Sequence, residues 1–393
     1  MSARDNSYIS LTSWQSNGLK MQKTWSFWER QYYPQHWDFI VVGGGFCGVS
    51  LAYHFQKQNP RARVLILERD ILAEGASSKN AGFACYGTVG EYQSDLKLMG
   101  AEAALNLIEQ RIKGLEFLKL LVGESQMSWQ QLGGRELYFP DQKEEWEVAQ
   151  AHLGDLNKTF NKLIQGSLFQ LDKENIVQGL LGSIYSPLEA QLDPVKALVQ
   201  LRKLALESGV RILNSVEVKG LYSHSGDWRL ESNQGIWQAA QVVFATNAFG
   251  VPAYDLDLIP ARNQVLVTQP FVHGLKPGNY HAREGYIYFR TIGNRLLIGG
   301  ARHLALEAET TSQMGLTSTI QDYLRQFLTK DLAMGDQWKI ESQWSGIIAT
   351  GSSKEPLMQA LEPGLWYCGR FGGMGVALST QFAAEALKSL EGN

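Results

Sequence analysis

"DFIVVGGGFCGVSLAYHFQKQ", Asp38 to Gln58, is the stretch on which the fold turns. Asp38–Val42 reads as a short buried strand, Phe46–Gln58 as a helix, and Arg63–Glu68 as a second β-rich strand. Strand, turn, helix and strand make a βαβ unit. Gly43, Gly45 and Gly48 form G-x-G-x-x-G at its turn, and Glu68 closes the next strand 20 residues after Gly48. Such glycines permit a tight turn and let backbone approach a pyrophosphate at the helix N-terminus, while the acid accepts hydrogen bonds from an adenosine ribose. The unit therefore predicts a bound ADP moiety, which NAD and FAD share.

The rest of the chain fits a globular enzyme. Its 393 residues allow two or three domains at about 150 residues each. A net charge of -3 gives no basic excess for nucleic acid, so no nucleic-acid partner is expected. The three cysteines, Cys47, Cys85 and Cys368, form no CxxC pair, and the seven histidines no HxH or HExxH pattern, so neither a disulfide framework nor a metal site is expected. No run of about 18 apolar residues predicts a membrane span, and the opening residues lack an apolar core of the kind signal peptides carry. A cytoplasmic location is the expectation.

Beyond the βαβ unit, the small-residue loop Glu74–Gly90 leads into amphipathic segments at about 94–121 and 142–164, with "RELYF", Arg135–Phe139, as a strand between them. "LDPVKALVQLRKLALESGV" predicts a helix opened by Pro194 and ended at Gly209, followed by the strand "VEVKGL". The segments "NQVLVTQPF", "GYIYFR" and "NRLLIGGAR" predict an antiparallel sheet, and a helix is expected from about Thr317 to Leu328. The chain closes as strand, Gly-rich turn and long helix in "GLWYCGRFGGMGVALSTQFAAEALKSLEG". The expected class is α/β plus α+β: a Rossmann-like nucleotide domain interleaved with a substrate domain built on an antiparallel sheet. The expected boundaries are 1–37 for a lead-in, 38–92, 190–250 and 341–393 for the nucleotide domain, and 93–189 and 251–340 for the substrate domain.

Taken together, "VVGGGFCGVSLAYHF", "VLILER", "GASSKNAGF", "ATNAFG", "LLIGGA" and "YCGRFGGMGVAL" resemble, in order, the D-amino acid oxidase or glycine oxidase superfamily of FAD enzymes. Within it the chain most resembles the branch of gamma-glutamylputrescine oxidoreductase and related bacterial amine oxidoreductases. The resemblance implies a glutathione reductase 2-like FAD fold, with Gly43, Gly45 and Gly48 on the FAD pyrophosphate, Glu68 on the ribose and Arg69 beside adenine. It places Ala76, Ser77, Asn80 and Gly82 along phosphate and flavin ring, Val218 at adenine, and Thr246 at the strand end near the cofactor. Gly369, Gly372, Gly373 and Gly375 would bring the last helix's N-terminus to the flavin. Relatives that attach FAD covalently use a histidine before the Ala-Gly of the early loop, where Asn80 stands, or a cysteine within 345–352, where there is none; FAD is expected to be noncovalent.

The implied chemistry is oxidation of a small amine at its C–N bond, hydride passing to the flavin. Trp344, Tyr286, Tyr288 and Phe289 are candidates for the pocket wall. Amino acid oxidases of the superfamily place an arginine after the Gly of the segment matching "WSGIIA", where Ile347 stands; its absence favours an amine over an α-amino acid. Arg290 and Arg370 remain as candidates for an anionic group. Glycine, D-amino acid or N-methyl amino acid oxidation is the alternative, and a tRNA-modifying flavoenzyme a second one. An NAD-linked dehydrogenase is disfavoured by the late Gly-rich turn, and a nonenzymatic module by complete glycine motifs at both ends. The electron acceptor, oxygen or another, is left open; Leu297 stands near where sarcosine oxidases keep a lysine that assists oxygen.

Overall fold

A computed structural model describes residues 25–390, apart from residues 35, 162, 165, 175 and 176. The predicted βαβ unit is present as the strand His36–Val42, the helix Phe46–Gln58 and the strand Val64–Leu67. The two strands pair in parallel, Phe39 opposite Val64 and Val42 opposite Leu67. Both are apolar on both faces because both are covered. Phe39, Val41, Val64 and Ile66 enter one core; Ile40, Val42, Leu65 and Leu67 enter another on the far side. This two-sided burial is what makes parallel strands read as continuous apolar runs.

The first sheet runs in the order 357–362, 365–369, 235–244, 36–42, 64–67, 211–213, with the hairpin 218–224/227–232 paired onto 235–244. Its central neighbours are parallel, so the strands end together at one carboxyl edge. There Gly43 donates to the Leu67 carbonyl (2.8 Å) and Ala245 to the Val42 carbonyl (2.8 Å). Three segments distant in sequence thus meet, in the crevice where open α/β sheets bind ligands.

The helix Pro194–Ser208 is bounded as the sequence predicts. Asp193 accepts from the amides of Val195 and Lys196, Pro194 occupies the first turn, and Gly209 ends it at φ +111°. The described part of the lead-in packs on this unit, Trp25 edge-on to Trp237 at 6.3 Å; residues 1–24 lie outside the described residues.

The second sheet runs 340–350, 259–268, 295–300, 287–292, 279–282, 134–138, 182–186, 170–171, antiparallel except where 279–282 meets 134–138. One face packs on the helix Ser318–Gln326 through Leu266, Phe289, Ile298, Ile320, Leu324 and others. The other bears Val265, Leu297, Tyr288 and Trp344 and faces the first unit's early loop through Ala81 and Phe83.

Two expectations about the interleaving are corrected. The strand Ile340–Thr350 pairs along its whole length with Ile259–Thr268, so it belongs to the antiparallel sheet and the return to the first sheet comes at Leu357. The amphipathic segment expected at 94–121 is two helices, Val89–Met99 and Ala101–Val122, divided at Gly100 (φ +83°). The longer one does not join the second unit: Ala104, Ile108, Ile112, Leu115 and Leu118 sit in the first unit's core. Gly114 makes this possible, because a Cβ there would press on the Ala377 carbonyl, 3.0 Å from its carbon and closer to its oxygen.

Candidate active site

Between the two sheets lies a cavity of about 780 Å³. Its first wall is the carboxyl edge of the parallel sheet. A Cβ on Gly43, which has φ +111°, would sit 2.7 Å from the Ala245 carbonyl oxygen, and one on Gly45 2.7 Å from Ser77 Oγ. These glycines keep the turn thin where the helix Phe46–Gln58 presents its unpaired first-turn amides. Ser77 Oγ accepts from the Phe46 amide (2.9 Å) and so ties the early loop to that helix start.

Glu68 is 7% exposed and is fixed by two backbone donors, Gly44 N to Oε2 (2.7 Å) and Asp70 N to Oε1 (2.9 Å). Arg202, from the helix Pro194–Ser208, reaches the Gly44 carbonyl at 3.4 Å. Sequence reasoning passed over Gly44 and Arg202, although a third consecutive glycine signalled the first: its Cβ would stand 2.9 Å from Arg202 Nη1 and 3.1 Å from Glu68 Oε2. Arg69 lies over the Phe249 ring at 4.7 Å on this side of the cavity.

Gly43, Gly45, Glu68, Arg69, Ala76, Ser77, Asn80, Gly82, Val218, Thr246, Gly372, Gly373 and Gly375 all line the cavity. Gly48 and Gly369 do not. Gly48 instead lets the helix approach its own turn, since a Cβ would press on the Gly43 carbonyl (3.1 Å from its carbon), and Gly369 makes room for the Tyr367 ring. Asn80 spends its side chain inside the loop, donating to the Ala76 and Ser77 carbonyls (3.2 and 2.8 Å) and accepting from Gly82 N (2.9 Å). It shapes the wall rather than offering donors to a ligand.

Of the expected pocket residues, Tyr286 and Tyr288 line the cavity, and Trp344, Arg290, Arg370 and Phe289 do not. Trp344 is turned to the early loop, its Nε1 donating to the Lys79 carbonyl at 2.8 Å. Arg290 is buried and clamps the Gly82 and Leu192 carbonyls (3.2 and 3.1 Å); burial pulls its pKa down to about 10. Arg370, at φ +61°, pairs with Asp257 and donates to the Glu355 carbonyl (3.1 Å). Phe289 lies in the core on the sheet's other face. Both guanidiniums are thus already engaged, Arg290 by backbone carbonyls and Arg370 by Asp257 and a backbone carbonyl.

Ile347 reaches the cavity boundary, but the pleat gives it a second role. It shares its face with Ala349 and packs on Ala248 and Leu258, whereas Ile348 shares its face with Gly346 and Thr350, which also line the cavity. Neither position supplies a cation.

The far end of the cavity carries charges that sequence reasoning missed, because their partners are distant along the chain. Arg111 pairs with Glu91 (2.9 Å), Lys354 with Asp95, and His281 Nε2 with Glu189 (2.9 Å). Burial acts to raise the Glu91 pKa, but Arg111 and Lys354 outweigh it and hold the carboxyl low. Burial likewise acts to lower the His281 pKa, and Glu189 outweighs it, so the imidazole titrates above its usual range. On the floor, Tyr288 stands opposite Gly299 and His281 in the sheet, and burial pushes its phenol up to about 12.

A family model described as FAD-dependent oxidoreductase matches residues 38–388. The chain belongs to this family of FAD-dependent oxidoreductases. It is 24% identical over 383 residues to gamma-glutamylputrescine oxidoreductase of Escherichia coli K12, covering 89% of this chain and 83% of that one. It is 25% identical over 280 residues to mitochondrial dimethylglycine dehydrogenase of Rattus norvegicus, but spans only 31% of that longer protein. Its fold superimposes on the crystal structure of glycine oxidase from Geobacillus kaustophilus with a TM-score of 0.71 at 21% identity, covering 91% of this chain and 94% of that one.

The cavity fits the family's cofactor. It has room for a dinucleotide, a glycine cradle that any Cβ would fill at Gly43 and Gly45, and a preoriented carboxylate at Glu68. The N-terminus of the helix Gly375–Ala386 also borders it, through Gly375, Val376 and Ser379.

Proposed function

We propose that this FAD-dependent oxidoreductase oxidises the C–N bond of a small primary or secondary amine, giving an imine that water hydrolyses. The observation that carries this reading is the wall at Gly346–Ile348: neither pleat position offers a cation for an α-carboxylate, and Arg290 and Arg370 are engaged elsewhere. The names of the relatives, an amine oxidoreductase, a dimethylglycine dehydrogenase and a glycine oxidase, support amines and amino acids as the substrate class.

In this reading Gly43, Gly45 and Glu68 hold the dinucleotide's pyrophosphate and ribose, and Gly372, Gly373 and Gly375 border its ring without covalent attachment. FAD, when bound, would accept a hydride, the hydrogen together with its bonding electron pair, from the substrate carbon as the nitrogen lone pair forms the C=N bond. The chain's own part is to place that carbon and to keep the amine neutral. Val265, Ile348 and Tyr288 make an apolar wall that withdraws the amine from water, which lowers its pKa and favours the uncharged, oxidisable form.

The test is anaerobic bleaching of the bound flavin by primary amines, polyamines, N-methyl amino acids, D-amino acids and glycine. Bleaching by amines but poorly by α-amino acids is expected. The companion variant is Ile348→Arg, which should tighten α-amino acid binding about tenfold to a hundredfold, the value of a charge-assisted pair. Preference for glycine or a D-amino acid in the unmodified protein overturns the reading.

A further inference from the structure

We propose that Cys47 and Cys368 form a redox modification site: oxidation joins them in a disulfide, and that bond and bound FAD oppose one another. Their Sγ atoms lie 3.4 Å apart although 321 residues separate them along the chain. Both thiols are free, and both residues border the cavity, Cys47 being 7% exposed and Cys368 fully buried.

The contact joins two walls of the cofactor cavity. Cys47 is the second residue of the helix Phe46–Gln58, whose first turn borders the cavity beside the Gly43–Gly48 turn. Cys368 ends the buried part of the strand Leu365–Gly369, which runs into the turn that brings Gly372, Gly373 and Gly375 to the cavity. The Cys47 thiol also lies 3.8 Å from the Cys368 carbonyl, so it is directed at this residue.

A disulfide needs its sulfurs about 2.05 Å apart, so closure draws the two together by about 1.4 Å. The glycine turn has little slack to absorb that shift. A Cβ on Gly48 would stand 3.1 Å from the Gly43 carbonyl carbon, and one on Gly43 2.7 Å from the Ala245 carbonyl oxygen, so helix start, turn and neighbouring strand are already in contact. Closure therefore moves the first-turn amides off the positions that suit a pyrophosphate, and a bound pyrophosphate holds them against closure. Linkage makes the two effects equal in size.

Access sets the order of events. Cys47 is the more exposed partner, so a small oxidant reaches it through the empty cavity, and a dinucleotide on the glycine turn covers it. With hydrogen peroxide as oxidant, the Cys47 sulfur attacks one peroxide oxygen as the O–O bond breaks, giving a sulfenic acid and water. The Cys368 sulfur then attacks the Cys47 sulfur, and the sulfenic oxygen leaves as a second water with the Cys368 proton. Each sulfur gives up one electron, and the peroxide takes both. The hydrogen bond to Cys368 and burial push the Cys47 thiol up, so the pair rests as two thiols and reacts with excess oxidant, not with traces.

The experiment treats the full chain, stripped of FAD or saturated with it, with excess hydrogen peroxide, and maps disulfides by mass spectrometry of a non-reducing digest. A peptide joining Cys47 to Cys368 is expected in the FAD-free chain and should be scarce at saturating FAD. The oxidised chain should bind FAD about fivefold to a hundredfold more weakly by fluorescence titration, the usual range of coupling between sites, and dithiothreitol should restore the affinity. Cys85→Ala should behave like the unmodified chain, whereas Cys47→Ala and Cys368→Ala should keep their FAD affinity through the same treatment. Absence of the joined peptide, its equal formation at saturating FAD, or its formation without a reversible loss of affinity overturns the proposal. So does an equal loss in Cys47→Ala, which would assign the effect to other oxidised side chains.

Discussion

The same substitution, Gly→Ala, should have opposite effects at two helical positions. Gly154 lies exposed in the helix Lys143–Phe160, and a Cβ there would meet nothing within 4 Å. Ala should stabilise it by about 1 kcal/mol, the helix-propensity difference. Gly114 lies buried in the helix Ala101–Val122, where a Cβ would sit 3.0 Å from the Ala377 carbonyl carbon and closer still to its oxygen. Ordinary carbon contacts are about 3.5–4.0 Å. A backbone carbonyl inside a helix cannot rotate away, so the two helices must part. The propensity gain is common to both variants and cancels in their comparison, leaving an overpacking cost of about 1–3 kcal/mol. For 393 residues, an unfolding entropy of about 2.1 cal/mol/K per residue makes this a Tm difference of about 1–4 °C. Calorimetry at saturating FAD reads it. The displaced helix, Gly375–Ala386, borders the cavity, so Gly114→Ala should also release FAD more readily in a fluorescence titration, and Gly154→Ala should not. If Gly114→Ala melts with Gly154→Ala or above it, the helices are not in the close contact on which this reasoning depends.

Three further outcomes follow from the site. His281 has a pKa raised above 6.5 by Glu189, despite burial, so its pairing contributes stability that is full below about 6.5 and lost as pH rises through the folded-state value. Denaturation midpoints should therefore decline above that pH, and His281→Gln should flatten the decline. Glu68→Gln places an amide group against one of two backbone donors, Gly44 N or Asp70 N; FAD affinity should fall about tenfold to a hundredfold by fluorescence titration. Acid precipitation of the holoprotein should leave yellow flavin in the supernatant, and flavin retained in the pellet would show a covalent link.

How far the sequence carried depended on whether a signal was local. The turn at Gly43–Gly48 and the cap pair Asp193 and Gly209 act within a few residues of themselves, and Glu68, though it binds Gly44 across 24 residues, stands at the end of the strand that follows that turn, so each is legible from spacing. Gly114 was not, because a mid-helix glycine reads as a mere loss of propensity until the Ala377 carbonyl is known to lie against it. Strand Ile340–Thr350 was assigned to the wrong sheet for a related reason: its apolar residues fit either sheet, and only pairing with Ile259–Thr268 decides. Pleat parity is the most consequential case for function. A one-residue step exchanges Ile347, which packs on Ala248 and Leu258, for Ile348, whose face includes the cavity-lining Gly346 and Thr350. The arginines show the same limit in another form. Arg290, Arg302 and Arg370 are equivalent as letters, yet two are bound to backbone carbonyls and only Arg302 stands on the cavity wall without a partner among the described residues. Charge in a sequence therefore locates candidates, whereas availability for a ligand depends on which charges the fold has already neutralised.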